Sequence, residues 1–532
     1  MAPHFSMATA NEAAAVVEIC RRLDGIPLAI ELAASRMASM TAIEVRDRLD
    51  QRFRLLVGAR RGVERHQTLR HAVAWSYALL DEPERALLER CSVFAGGFDL
   101  EGARAVAGIQ DQFAVLNLLD ALVRKSLVVA HRSTGKTRFS MLETIRQFAD
   151  EQLEASDDGE ATRQAHARYF AEREPDVLAL WDSSRQRDAY GWLVTELANL
   201  RTAFRWAAAH DHLDTAAAIA VYAGYLGGWI ELHEPSTWAE ELIGRARAVD
   251  HPRLGQLYVI AAECYRTGRL TDGVGYADAA VAILGTGHFD DMLFDIEPTA
   301  LGGTYITVGF IDRWLALCRK RLACGEGMSA FNRGSMVMAL ATAGEFDEAK
   351  AASEELLDAA DATDNPGAQA FALLAYGYVW RDANPTAAYE ALRRGLMVAH
   401  DSGNRMIESY TAVNLSAFAA ANRDPMDALD FLTLAIKNFF DTGSYSHMVS
   451  PLAVLASHLD RIGRYEAAAT IVGFSFTAFA LATFPEIDAA VAHLRQALGE
   501  DVYQSLTDAG GKMANADAAR YALDQIDQAR AE

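Results

Sequence analysis

The sequence predicts a mainly α-helical chain: a helical segment, a small helical domain with one β-hairpin, then a long array of paired helices. Three observations carry this prediction. Apolar residues recur at helical spacing along most of the 532 residues. One pair of alternating, β-rich runs, 127–132 and 137–141, flanks Ser133-Thr-Gly-Lys136 and reads as a hairpin. Turn residues before capped helix starts return at Gly268, Gly309, Gly344, Ala383, Arg423 and Gly463, at intervals of 41, 35, 39, 40 and 40.

Residues 13–40 form two helices broken at Asp24-Gly25-Ile26-Pro27, because Gly can end one helix and Pro can open the next. Thr41-Ala-Ile-Glu44 fits a capping box and starts a third helix to about Leu56. Short amphipathic helices are expected at 68–80, 82–94, 99–107 and 113–126, with Asp81 and Asp99 as caps and Gly96-Gly97 as a breaker. The hairpin and a helix over 142–155 follow. Helices, one hairpin and a further helix describe a winged helix. Beyond the acidic break at Ser156–Glu160 the chain is helical to residue 525. A helix pair cannot bury its own apolar face, so pairs stack into an α-solenoid whose concave side can bind a partner. The intervals exceed 34 residues, which makes the repeat only tetratricopeptide-like. The expected division is 1–60, 61–157 (winged helix), 158–195 (helical linker) and 196–525 (repeats).

The net charge of −22 is uneven: residues 1–150 hold 20 basic against 18 acidic side chains, so the acid lies later. An acidic body repels phosphate backbones, so nucleic-acid contact is expected only in the front, near Arg46, Arg48, Arg52, Arg54, Arg60 and Arg61. Cys20, Cys91, Cys264, Cys318 and Cys324 lack CxxC spacing and read as reduced, buried thiols of a cytoplasmic protein. Residues 467–485 carry no charge, but their Thr, Ser and Gly content and their place in the repeat argue against a membrane span.

The Gly-Lys-Thr at 135–137 lacks the earlier Gly of a phosphate loop, since position 130 is Ala, and it joins two strands, so it reads as a hairpin turn. His210-Asp-His-Leu-Asp214 reads as a solvated turn with Asp214 as a cap, and the acids of 288–295 as a loop without calcium-ligand order. No catalytic residue and no metal site is expected. Trp229, Tyr265, Trp314 and Tyr378 are expected in the repeat core rather than at a ligand.

Cys20-Arg-Arg-Leu-Asp-Gly-Ile-Pro-Leu-Ala-Ile30 resembles the Gly-x-Pro segment that follows the nucleotide-binding domain of STAND (NB-ARC-type) signal-transduction ATPases. Arg65–Arg70, Trp75-Ser-Tyr77, Ser92-Val-Phe-Ala-Gly-Gly97, Leu119–Val129 and Leu142–Ala149 resemble the winged helix of actinobacterial regulators of this type, in the same order. Glu196-Leu-Ala-Asn-Leu-Arg201 with Trp206 resembles the start of their repeats. The resemblance implies that Gly25 and Pro27 are vestigial adenine-side contacts. Only nineteen residues precede Cys20, too few for a phosphate loop and Walker acids, so the chain alone is expected not to hydrolyse ATP; ATP or ADP would need a partner that supplies that domain. At the family's Met-His-Asp position stands Met141-Leu-Glu143, which weakens nucleotide sensing there. LuxR-type or adenylate-cyclase domains accompany such proteins and are not seen here, so output is expected through a partner, which includes an ATPase or cyclase domain.

The leading expectation is a non-catalytic signalling and transcription-regulatory protein whose repeats bind a protein or small effector and couple to the winged helix. DNA binding through the 114–126 helix with Arg132, Lys136 and Arg138 is a rival that helix 114–126 disfavours, because Leu116, Leu118, Leu119, Leu122 and Val123 suggest core. A second rival is an accessory subunit that completes an ATP site on a separate ATPase domain.

Overall fold

The computed structural model describes residues 10–22, 40–47 and 76–531, apart from 134–135, 324–328, 423–424 and five positions between 478 and 485, with single residues between 23 and 74. The chain divides into two units, Met1–Glu172 with Thr195–His212, and Arg173–Val194 with Leu213–Glu532.

In the first unit, helix Ala10–Arg22 and helix Ala42–Asp47 close a small core of Ala15, Ile19, Ala42 and Val45. Thr41 and Glu44 form the expected reciprocal cap, each backbone N–H donating to the other's side chain. Gly25 has φ +66° and donates its N–H to the Cys20 carbonyl, which ends the first helix as the sequence indicates. Pro27, Cys324 and the basic positions 48, 52, 54, 60 and 61 lie outside the described residues.

The next helix, Glu82–Arg90, starts at a capping box of Asp81 and Glu84, and runs into a short 3-10 turn, Cys91–Val93. Regular helix therefore stops four residues before the expected 94. Helix Leu100–Ala107 is capped by Asp99 and stops at Gly108, whose φ is +67°. Helix Gln112–Arg124 is capped by Asp111. Strands β1 (Val129–Ser133) and β2 (Lys136–Ser140) pair antiparallel from Val129↔Ser140 to Ser133↔Lys136, each reaching one residue further into the turn than the sequence suggests. Helix Glu143–Ala155 completes the winged helix. Its core holds Leu87, Leu88, Cys91, Phe94, Leu119, Leu122, Phe139 and Leu153; each fully buried leucine contributes about 1.5–3 kcal/mol.

This unit extends past the expected boundary at 157. In helix Gly159–Ala171, His166 and Phe170 meet Phe94 edge-on at 4.9 and 6.4 Å. Residues 195–212 also belong to it: Asn199 accepts from the Ala95 N–H at 2.7 Å and donates to the Gly97 carbonyl at 2.8 Å, while Arg138 on β2 pairs with Glu196. The Glu-Leu-Ala-Asn motif is thus a clasp on the Gly96-Gly97 turn rather than the opening of the repeats.

In the second unit, helix pairs follow one another as expected. Gly268, Gly309, Gly344 and Gly463 all take positive φ between the two helices of a pair, and Ala383 also falls between paired helices. Gly403 and Gly443 do the same between successive pairs, which the sequence reading did not anticipate. A further pair precedes them, Leu213–Trp229 and Glu234–Ala248. The last helices cross closely: a Cβ on Gly473 would lie 2.0 Å from the Thr507 carbonyl oxygen, and one on Gly510 1.8 Å from that of Thr470. The uncharged stretch at 467–485 begins within helix Tyr465–Ser475, whose 11 residues rise only about 16 Å, about half of a bilayer core. No single described helix is long and apolar enough to cross a membrane.

Candidate effector cavity of the helical repeats

Within the second unit the repeats close on themselves. Ser446 donates to the Tyr265 carbonyl at 2.7 Å, His447 meets the Tyr265 hydroxyl at 3.1 Å, and His233 meets Ser444 at 2.9 Å. Helices far apart in sequence thereby meet around one partly open chamber of about 140 Å³. Most of its wall is apolar: Trp229 and Ile260, Ile306 and Trp314, Met338 and Phe371. The polar part comes from Glu263, Tyr265 and Arg266, from Tyr410 and Asn414 of helix Arg405–Asn422, and from Ser450 of helix Tyr445–Arg461. Three of the four aromatics expected to be only core, Trp229, Tyr265 and Trp314, line this chamber, whereas Tyr378 is core and donates to the Thr483 carbonyl. Trp314 presses on helix Glu297–Thr307, where a Cβ on Gly302 would lie 2.6 Å from its ring.

Arg266 is 5% exposed. Its Nε donates to Glu263 and its Nη2 to the Met406 sulfur, a weak acceptor, while Nη1 has no hydrogen-bond partner in the protein. A buried guanidinium with an unpaired edge costs about 1–3 kcal/mol or more. Other buried groups nearby are also unpaired on one atom: Glu231 Oε1, His447 Nδ1 and Ser450 Oγ. Glu231 is more unusual still, since it sits at φ +59° in the turn of the first pair, where four later pairs have glycine. Thr442 donates to it at 3.1 Å, and Ser444 also bonds its carboxyl. Backbone strain in that region costs about 1–3 kcal/mol.

The electrostatics follow from burial. Desolvation pushes the Glu231 carboxyl up, with Arg266 pulling the other way. Desolvation also raises Glu263 against the pull of Arg266, whose own guanidinium stays charged. His233 is pushed down to about 4 by burial and then by the Arg266 charge, and His447 is held well below its usual range for the same two reasons. Both imidazoles are therefore neutral near pH 7, and Arg266 is the fixed cation of the cluster. The sequence signal for this site was weak: Glu263, Arg266, Tyr410, Asn414 and Ser450 match no motif and converge only through the closure of the repeats.

The other sequence candidates lead elsewhere. Gly25 takes φ +66° in the turn after the first helix, and Pro27 lies outside the described residues. Asp214 is not a cap but lies inside helix Leu213–Trp229, 2.9 Å from His251 Nε2. In the 288–295 loop Phe294 packs 4.9 Å from Trp181. Among the described residues no three His, Cys, Asp or Glu side chains converge as metal ligands. Cys91, Cys264 and Cys318 are buried free thiols, but Cys20 is only half-buried. On the winged helix, Leu119 and Leu122 are core, while Phe113 and Leu116 are 73% and 41% exposed. Arg124 pairs with Asp120, Lys125 with Glu84 and Arg138 with Glu196, so acid neutralises much of the basic charge on the reading helix and wing.

This front domain belongs to a known class: the sequence model for the winged helix-turn-helix domain matches residues 80–154. A Mycobacterium bovis protein, named as a candidate HTH-type transcriptional regulator, is 48% identical over 222 residues, 41% of this chain and 25% of that protein. An uncharacterized Mycobacterium tuberculosis protein is 44% identical over 165 residues, 30% of this chain and 42% of that one. The matched segment thus spans a quarter to two fifths of these relatives. A solved STAND protein with a tetratricopeptide repeat sensor, from Pyrococcus horikoshii, aligns over 91% of this chain and 74% of that chain at 15% identity and a TM-score of 0.43.

Proposed function

We propose that this chain is a non-catalytic regulator in which the helical repeats take a small effector into their chamber and the winged helix carries the response. The observation that supports this is Arg266, buried in the chamber wall with donors that the protein does not use. An effector that prefers one state of the repeats shifts the population only by its differential affinity. Hydrogen exchange of the full chain with and without the small-molecule fraction of a cell extract tests the reading. Protection of 254–268 and 405–450, together with an altered rate in 82–155, is expected; unchanged exchange in all three refutes it.

A second reading, DNA binding, is favoured by the winged helix-turn-helix match and by the relatives' name. The paired basic residues of the reading helix and wing weigh against it. Retention on duplex DNA that falls steeply with added salt would establish it. Nucleotide binding belongs to a third arrangement, in which a separate ATPase domain completes the site. Fluorescent ADP with magnesium, followed by anisotropy, should show no binding to this chain alone.

A further inference from the structure

The effector's chemistry can be read from the chamber, on the premise that the chamber is an effector site. We propose that it binds a small monocarboxylate with an aromatic or similarly bulky apolar body, its two oxygens on Arg266 and Ser450 and its body against Trp229, Trp314 and Phe371.

The head is assigned by donors. Arg266 offers the N–H groups of Nη1, and Ser450 offers a hydroxyl with no other partner; both line the same chamber. Two donors match the two oxygens of a carboxylate, and a charge-assisted bond to a buried guanidinium is about twice as strong as a neutral one. A cation is disfavoured because the unused N–H groups belong to the Arg266 guanidinium, itself a fixed positive charge in the chamber wall. A doubly charged phosphate is disfavoured because Glu263 lies against the same guanidinium and would repel the second charge.

The body is assigned by the walls. Apart from the cluster around Arg266 and two threonines, Thr299 and Thr483, the chamber is lined by glycine and by apolar and aromatic side chains, and such walls hold flat apolar bodies.

Isothermal titration of the full chain with four probes of one scaffold tests this: phenylpropionate, phenylpropanol, phenylpropylamine and phenylpropyl phosphate. Phenylpropionate should bind saturably, with the alcohol weaker by about tenfold or more, the loss expected for a charged hydrogen bond. Arg266→Lys keeps the charge but loses the planar fork, and should weaken binding about tenfold. Because changes at Arg266 expose Glu263 to loss of its partner, Ser450→Ala and Ala300→Leu serve as independent variants. The first should weaken the acid and leave the alcohol unchanged; the second, filling the chamber from helix Glu297–Thr307, should weaken both. Equal or tighter binding of the alcohol, amine or phosphate overturns the carboxylate assignment and leaves the effector reading standing. Binding by none of the four to a chain that melts cooperatively overturns both.

Discussion

Glu231 should be a residue whose replacement makes the protein more stable. Replacing it by glycine removes left-handed strain at φ +59°, worth about 1–2 kcal/mol. It also removes a buried carboxylate with one unpaired oxygen, worth about 1–3 kcal/mol. Against this stand the hydrogen bonds from Thr442 and Ser444, about 0.5–1 kcal/mol each, the attraction to Arg266, and the added freedom of glycine in the unfolded chain, about 0.5–1 kcal/mol. The balance is a gain of about 1 kcal/mol. The second unit has about 340 residues, and with about 2.1 cal/mol/K of unfolding entropy per residue that gain raises its Tm by about 1–2 °C. Differential scanning calorimetry of Glu231→Gly and Glu231→Gln separates the contributions, since glutamine keeps the strain and loses only the charge. A fall in Tm for Glu231→Gly would refute the reasoning and make Glu231 a structural strut rather than a group retained at a cost in stability.

Three further outcomes are expected. Asn199→Ala should destabilise the first unit by about 2–4 kcal/mol, since the Ala95 N–H and Gly97 carbonyl lose their partner together, and faster hydrogen exchange at 94–98 would report it. Gly510→Ala should cost at least about 1–3 kcal/mol by forcing helix Glu500–Gly511 off Thr470; unchanged urea unfolding would show that the crossing yields. Burial among aromatic rings pushes His166 down to about 3, so between its unfolded value near 6.5 and that limit the unfolded chain binds more protons. Stability should therefore fall with falling pH by up to about 1.4 kcal/mol per pH unit. His233 adds to the same slope in the second unit, and His166→Gln should flatten the part that belongs to the first, read from urea midpoints between about pH 6 and pH 4.

What the sequence by itself determined was local. Caps at Thr41, Asp81 and Asp99, the glycine turns at 25, 268, 309, 344 and 463, and the hairpin at 129–140 all rest on a residue's own backbone preference or on a bond to a neighbour three positions away. The winged helix and the helix-pair rhythm followed from these. Tertiary structure alone decided where the units divide, because Asn199 reaches back 102 and 104 residues to Gly97 and Ala95. It likewise decided that repeats distant in sequence line one chamber, through bonds such as His447 to Tyr265 across 182 residues. Arg266 and Glu263 three positions apart look like an exposed helical ion pair in sequence. Only the helices that close over them make the pair buried, incompletely bonded and chemically addressable, and no local pattern encodes burial contributed by segments so distant in the chain.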